Sequence, residues 1–272
     1  MNDQIYMAYP GGKHKALTMS YDDGRIHDRR LVETFNRHGI KGTFHLNSGT
    51  LGKPGYVAAE ELPALYRGHE VSAHTVTHPE IARCPMPMAV QQVLDDRRAL
   101  EGIIGLPVRG LSYPFGSHSA AIRAMLPHVG ICYSRVVGDT FDFHLPEDFL
   151  QWTSTCHHDN RLMEMAERFL AMGVQFVPTP RLMYVWGHSY EFNDKDNWAL
   201  IEDFCQRMGG QDDIWYATNL EIYDYCQAYD RLQFAADHSF VVNPSAVSVW
   251  IWAGEWGNMT LHEIPAGALV RL

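Results

Sequence analysis

Short apolar runs that stop at polar residues alternate with amphipathic stretches from residue 16 to about residue 230, and no other feature of the chain constrains its fold so strongly. Residues 16–21 (ALTMSY) run into Asp22, Asp23 and Gly24. Residues 42–47, 70–73, 108–113, 131–137, 181–186 and 214–217 are similar runs, each reading as a buried strand. Between them, residues 27–38, 60–67, 90–102, 119–126, 160–172, 194–208 and 218–229 carry apolar positions at helical spacing. Gly39 is a stop signal, and Thr218 and either Asp159 or Asn160 are caps. Such alternation predicts parallel βαβ units, as a barrel or a doubly wound sheet. Past residue 230 the pattern changes. Residues 240–242, 247–252, 259–264 and 269–272 look like short strands split by Pro, Gly and Asn. The expected division is a body of residues 1–230 and a small β appendage of residues 231–272.

At 272 residues, the chain buries a sizeable core without disulfides or a structural metal, so a bound metal would be functional. The net charge of −10, with no Lys/Arg cluster, argues against nucleic acid and anionic membrane surfaces as partners. Cys84, Cys132, Cys156, Cys205 and Cys226 are widely spaced and form no CxxC pair. They read as small buried hydrophobes, not as a disulfide framework or a zinc-cysteine site. There is no apolar run of membrane-spanning or signal-peptide length, so the expectation is a cytoplasmic protein with no membrane partner.

Polar residues gather at the ends of the strands. Asp22 and Asp23 follow the first, His74 and His78 the third, residues 113–116 (YPFG) the fourth, and His188 a late one. In parallel α/β folds the C-terminal strand ends share one face and carry the site. His-x-x-x-His brings two imidazoles within reach of one ion, and a carboxylate from another strand completes a triad with open positions. Asp23 can supply that carboxylate. Alone, the His pair is a weak signal in a chain with fifteen histidines; joined to Asp-Asp-Gly at a strand end, it predicts one divalent ion held by Asp23, His74 and His78. Asp22 then remains as a general base for a water beside the ion, or as a cap of the following turn. His188 suits the general acid, its reference pKa of about 6.5 lying near working pH.

These residues resemble a known family. Residues 21–24 (YDDG), 74–78 (HTVTH), 113–116 (YPFG) and 186–188 (WGH) are similar, in order and spacing, to successive motifs of the polysaccharide deacetylases, the NodB-homology or carbohydrate esterase family 4 proteins. The resemblance covers residues 16–230. It implies a distorted (β/α)7 barrel and one divalent ion, usually Zn2+, on Asp23, His74 and His78. It further implies Asp22 as base, His188 as acid, and the Phe115 backbone N–H as an oxyanion donor.

The chain departs from the family at two motifs. An arginine usually stands two residues before the proline of the third motif, orienting the base; Ser112 occupies that position, with Arg109 three residues earlier. The fourth motif, an Asp that orients the acid, has Asp139 and Asp142 as candidates. Tyr113, Trp186, Asn47 and His157 are candidate substrate contacts. His157 and His158 fall in a polar segment read as lying between strand and helix. Trp152 is a further ring, more simply read as core, and His45 and Asn47 end the second strand.

The expectation is a metal-dependent hydrolase removing an N-acetyl group from an amino sugar or short oligosaccharide. Two alternatives are a cyclic amide or ureide hydrolase on the same barrel, and a non-catalytic carbohydrate-binding relative.

Overall fold

A computed structural model describes residues 4–173, 179–255 and 257–272. Its first ten strands are β1 (Gln4–Ala8), β2 (Lys15–Asp22), β3 (Gly42–Leu46), β4 (Glu70–Ala73), β5 (Gly110–Ser112), β6 (Tyr133–Asp139), β7 (Trp152–Ser154), β8 (Cys156–His157), β9 (Arg181–Gly187) and β10 (Ile214–Tyr216). Strand β2 pairs in parallel with β3 and with β9; β3 continues through β4 and β5 to β6. Strands β7 and β8 are two halves of one path broken at Thr155. The first half pairs with β6 and the second with β9, so the parallel ring closes as a distorted (β/α)7 barrel. Strand β10 pairs with β2 at residues 15–17, before the point where β3 joins it.

Side chains alternate across β2. Leu17, Met19 and Tyr21 point outward into the layer shared with the helices, where Leu31, Val32 and Phe35 of helix Asp28–Arg37 and Val93 and Leu100 of helix Met86–Ile104 are buried. Each such side chain contributes about 1.5–3 kcal/mol on burial. The inward set is polar: Thr18, Ser20 and Asp22 from β2, Thr43 and His45 from β3, Ser72 from β4, Ser112 from β5 and Arg135 from β6, all buried. Barrel interiors are ordinarily filled by branched apolar residues, and buried polar groups persist only when paired. Here they pair with one another. Ser20 Oγ meets His45 Nε2 at 2.9 Å, Thr18 donates to Asn219 at 2.8 Å, and Thr43 and Tyr133 donate to Glu70 at 2.9 and 2.6 Å.

Three differences from the sequence reading follow from this interior. Residues 152–157 form barrel strand β7/β8, not a polar segment outside the strands; the polar alternation there is that of a strand facing a polar interior. The helix expected at 194–208 begins only at Trp198 (Trp198–Met208), and a separate helix, Ser189–Asp194, precedes it across a break where Asp196 takes a left-handed φ of 49°. The appendage also draws on both chain ends: β1 pairs antiparallel with Val249–Glu255, which pairs with Asn258–Ile264. Val249, Ile251 and Ala253 pack in one buried cluster with Ile222 and Tyr225. A second small sheet joins Gln233–Phe234, Phe240–Val242 and Leu269–Arg271. Among the described residues no helix is long and apolar enough to cross a membrane. All five cysteines are free thiols; Cys156, Cys205 and Cys226 are buried, while Cys84 and Cys132 are half-buried.

Candidate active site

The C-terminal ends of β2 and β4 bring Asp22, Asp23, His74 and His78 together. Asp23 leaves β2 at a left-handed φ of 79°, its N–H held by His45 O at 2.9 Å. Gly24 continues the turn at φ 64°, where an added Cβ would lie 2.9 Å from the Leu46 side chain. His78 and Thr75 are also left-handed, at 57° and 67°. Non-glycine residues held in this region cost about 1–3 kcal/mol each and cluster at functional sites. The structure shows what holds them. Asn47 Nδ2 donates to His74 O (2.6 Å) and Thr75 O (2.8 Å), while Asp96 accepts from His74 N (3.0 Å) and Ser48 N (2.7 Å). Asn47, 2% exposed, therefore spends its amide on the backbone of the histidine loop. Burial pushes the Asp96 carboxyl up to about 6.

His74 Nε2 and His78 Nε2 lie 3.7 and 3.8 Å from Asp23 Oδ1. A tetrahedral ion with ligand bonds of about 2.1 Å would set its ligands about 3.4 Å apart, so the three atoms need little movement to share one. The His74 ring is already set for it. Its Nδ1 donates to Ser112 O at 2.7 Å, which leaves the Nε2 lone pair free, and among the described residues that buried nitrogen has no hydrogen-bond partner. Burial lowers the His74 pKa to about 3, so the ring is neutral, as a ligand must be. The residues present fit a divalent ion.

Asp22 Oδ2 stands 3.8 Å from His74 Nε2. It accepts from Ser112 Oγ at 3.1 Å and from Arg135 Nη2, which also contacts Ser112 Oγ. Burial pushes the Asp22 carboxyl up, but the Arg135 guanidinium, together with His74, His45 and His188, outweighs burial and holds it well below the usual carboxylate range. Arg135 was not legible as a site residue in the sequence, because it comes from β6 and not from the turn where the family carries its arginine. It lies over the Trp186 ring at 4.3 Å. Arg109 instead pairs with Asp224 at 2.8 Å, away from the site.

His188 follows β9, and its Nδ1 meets Glu191 Oε2 at 3.2 Å. Burial lowers the His188 pKa, but the bond to Glu191 and the charges of Asp22 and Asp23 more than reverse this and raise it above the ordinary histidine value. Glu191, and neither Asp139 nor Asp142, is the carboxylate in contact with His188. Asp139 accepts from His157 N, Asn160 and Trp186 Nε1, while Asp142 accepts from Phe143 N and faces His144. An i,i+3 pair inside a one-turn helix carries no strand-end signal, which is why Glu191 escaped the sequence reading.

The remaining predicted residues fall as follows. His157 Nδ1 accepts from Asp159 N at 3.2 Å, so its Nε2 carries the proton and donates to Glu191 at 3.1 Å. His157, His158, Asp159 and Glu191 form a compact cluster, but with that tautomer, and with Lys195 seated on Asp159, it is a second support around Glu191. Phe115, at φ 57°, sets its ring edge-on to His78 at 4.4 Å and is 68% exposed. Trp186 is 8% exposed. Tyr113 is buried, its hydroxyl donating to Leu150 O at 2.9 Å. Trp152 packs in the core beside Tyr133 and Tyr184. A cavity of about 880 Å³ opens at the opposite mouth of the barrel beside Glu70, Lys41 and Trp250, and none of the motif residues lines it.

The profile of the polysaccharide deacetylase family matches residues 9–134. Peptidoglycan-N-acetylglucosamine deacetylase PgdA of Listeria monocytogenes is 27% identical over 107 residues, 38% of this chain and 22% of that protein. The chitooligosaccharide deacetylase of Sinorhizobium fredii is 25% identical over 141 residues, 48% of this chain and 61% of that one. The match thus spans less than two thirds of each relative's length. Among solved structures, one from Mycobacterium smegmatis assigned to the polysaccharide deacetylases superposes with a TM-score of 0.62 over 83% of this chain and 94% of its own, at 15% identity. A family 4 carbohydrate esterase from Streptomyces lividans gives 0.50 over 74% and 91%, also at 15% identity. At such identity the likeness is one of fold.

Proposed function

We propose that this chain, which belongs to the polysaccharide deacetylase family over residues 9–134, is a metal-dependent hydrolase that removes an N-acetyl group from an amino sugar or short oligosaccharide. One observation carries the reading: a carboxylate held ionised by Arg135 stands beside three side chains whose donor atoms fit one divalent ion.

Asp23, His74 and His78 would hold that ion, most simply Zn2+. A bound ion supplies Lewis acidity, polarising the acyl oxygen and lowering the pKa of water toward about 7. Asp22 takes the proton from the attacking water, and Arg135 and Ser112 fix the direction of its carboxylate. The Phe115 N–H serves as the backbone donor to the developing oxyanion, a role typically worth about 3–4 kcal/mol of barrier. His188 protonates the departing amine from Nε2, since Nδ1 is engaged by Glu191. Burial of Asp22 and half-burial of His188 limit the access of bulk water to these proton transfers.

Acetate release from N-acetylglucosamine oligomers, measured with and without chelator, tests the reading. Release that chelation abolishes supports it. Hydrolysis of cyclic ureides alone would replace it with the ureide reading, and no turnover of either by metal-loaded protein would point to a binding relative.

A further inference from the structure

Arg25 lies two residues beyond Asp23, on the turn that ends β2. Its guanidinium carbon is 4.7 Å from the Tyr56 ring centroid and 5.0 Å from that of Tyr190. The Tyr190 ring in turn lies 5.2 Å from the His188 ring, so one aromatic ring separates this guanidinium from the acid. The backbone beneath is fixed. Arg25 and Tyr56 form an isolated antiparallel bridge, Ile26 N donates to Gly55 O at 3.1 Å, and Val57 N donates to Gly24 O at 3.0 Å.

Within the guanidinium, Nε donates to Gly55 O at 3.2 Å. Among the described residues the two terminal nitrogens have no hydrogen-bond partner and no carboxylate within ion-pair distance. Other arginines of the chain spend theirs: Arg29 on Glu61, Arg30 on Glu202, Arg109 on Asp224 and Arg135 on Asp22. Two rings and a carbonyl hold the half-buried fork of Arg25 in place, with no carboxylate seated on it among the described residues. That arrangement removes the rotamer entropy before a ligand arrives, and the planar fork matches a carboxylate in a bidentate fashion. It also offsets the repulsion that Asp22, Asp23 and the net charge of −10 would exert on an anionic substrate.

We propose that Arg25, clamped by Tyr56 and Tyr190, receives a carboxylate on the substrate, so that the preferred substrate is an acidic N-acetylated amino sugar. This rests on the deacetylase reading above. The neutral sugars named there are then slower members of the same class.

The test is acetate release by metal-loaded protein from N-acetylmuramic acid, its carboxamide, and N-acetylglucosamine 6-phosphate. The wild type should prefer the acid over the carboxamide, with the preference weakening as salt rises. In Arg25→Gln the acid-over-carboxamide ratio of kcat/KM should fall about ten- to a hundredfold, as expected for a lost charge-assisted hydrogen bond, and the change should lie in KM. Arg25→Lys, which keeps the charge but not the fork, should fall between. Preference for the phosphate over the carboxylate would overturn the carboxylate assignment. Acetate release with no acid preference, or a ratio unchanged in Arg25→Gln, would overturn the role of Arg25 and leave the deacetylase reading standing. The wild-type comparison decides the matter even if the variants fold poorly. No acetate from any of the three would overturn both.

Discussion

Arg135 reaches across the barrel interior from β6 to hydrogen-bond the carboxylate of Asp22 on β2, with the Ser112 hydroxyl joined to both. Ser112, at the position two residues before Pro114 where an arginine is expected, thus sits between Asp22 and an arginine supplied by the neighbouring strand. Both partners are almost wholly buried, so removing one leaves the other charged and unpaired. Arg135→Met should cost about 3–5 kcal/mol of stability, and loss of an oriented base should lower kcat by about 10²–10⁴. The double variant Asp22→Asn/Arg135→Met should be more stable than Arg135→Met alone yet remain inactive. Urea denaturation and acetate release separate these effects; a double variant no more stable than the single would refute the ion-pair account.

Glu191 holds His188 through Nδ1 and raises its pKa. In the proposed role of general acid His188 must enter the reaction protonated, so activity should fall as pH rises through its pKa. Glu191→Gln keeps a side-chain acceptor but removes the charge, so it favours neutral imidazole. The alkaline limb of the kcat profile should move to lower pH, while the acid limb, set elsewhere, should stay in place. An unmoved alkaline limb would show that His188 is not the titrating acid.

The strand ends that carry Asp22, Asp23, His74, His78 and His188 were legible because each acidic or basic residue interrupts an apolar run. Glu191, Asp96 and Arg135 were not. Asp96 sits inside helix Met86–Ile104, where a lone carboxylate looks like a solvated position, although it is buried and caps the histidine loop. Arg135 lies within a strand whose inward face is polar, so its burial contradicts the usual expectation for arginine. The same polar interior concealed β7/β8, the strand that closes the ring. Short-range pattern reveals which residues end a strand, but not which partner a long side chain finds across a barrel.

Metal content gives a direct check on the ligand set. The wild type should bind one divalent ion per chain, and His74→Ala or Asp23→Ala should bind much less under the same conditions. Because the triad is assembled only in the folded state, an ion at a hundredfold its Kd should stabilise the wild type by about 2.7 kcal/mol. Chelation should lower the Tm of the wild type and leave that of His74→Ala nearly unchanged. Equal metal content in wild type and His74→Ala would remove this histidine from the site.

Gly187 explains why a glycine stands between Trp186 and His188. A Cβ built there would lie 2.0 Å from Nδ1 of His158 and 2.4 Å from its Cε1, in a ring that is itself fully buried. His158 stacks on Phe192 at 4.1 Å and on Tyr21 at 5.7 Å, so it has no open side toward which to retreat. Its Nε2 lies 3.4 Å from Glu191 Oε2, the same oxygen that orients His188. Gly187→Ala should therefore act twice. Overpacking should cost about 1–3 kcal/mol of stability, and the displaced imidazole should disturb Glu191 and with it the acid. The pairing Gly187→Ala/His158→Ala opens the space that the new methyl needs. It should recover stability relative to Gly187→Ala alone, as measured by denaturant midpoints. If the double variant is instead the less stable by the sum of the two single effects, the methyl and the imidazole do not compete for the same space.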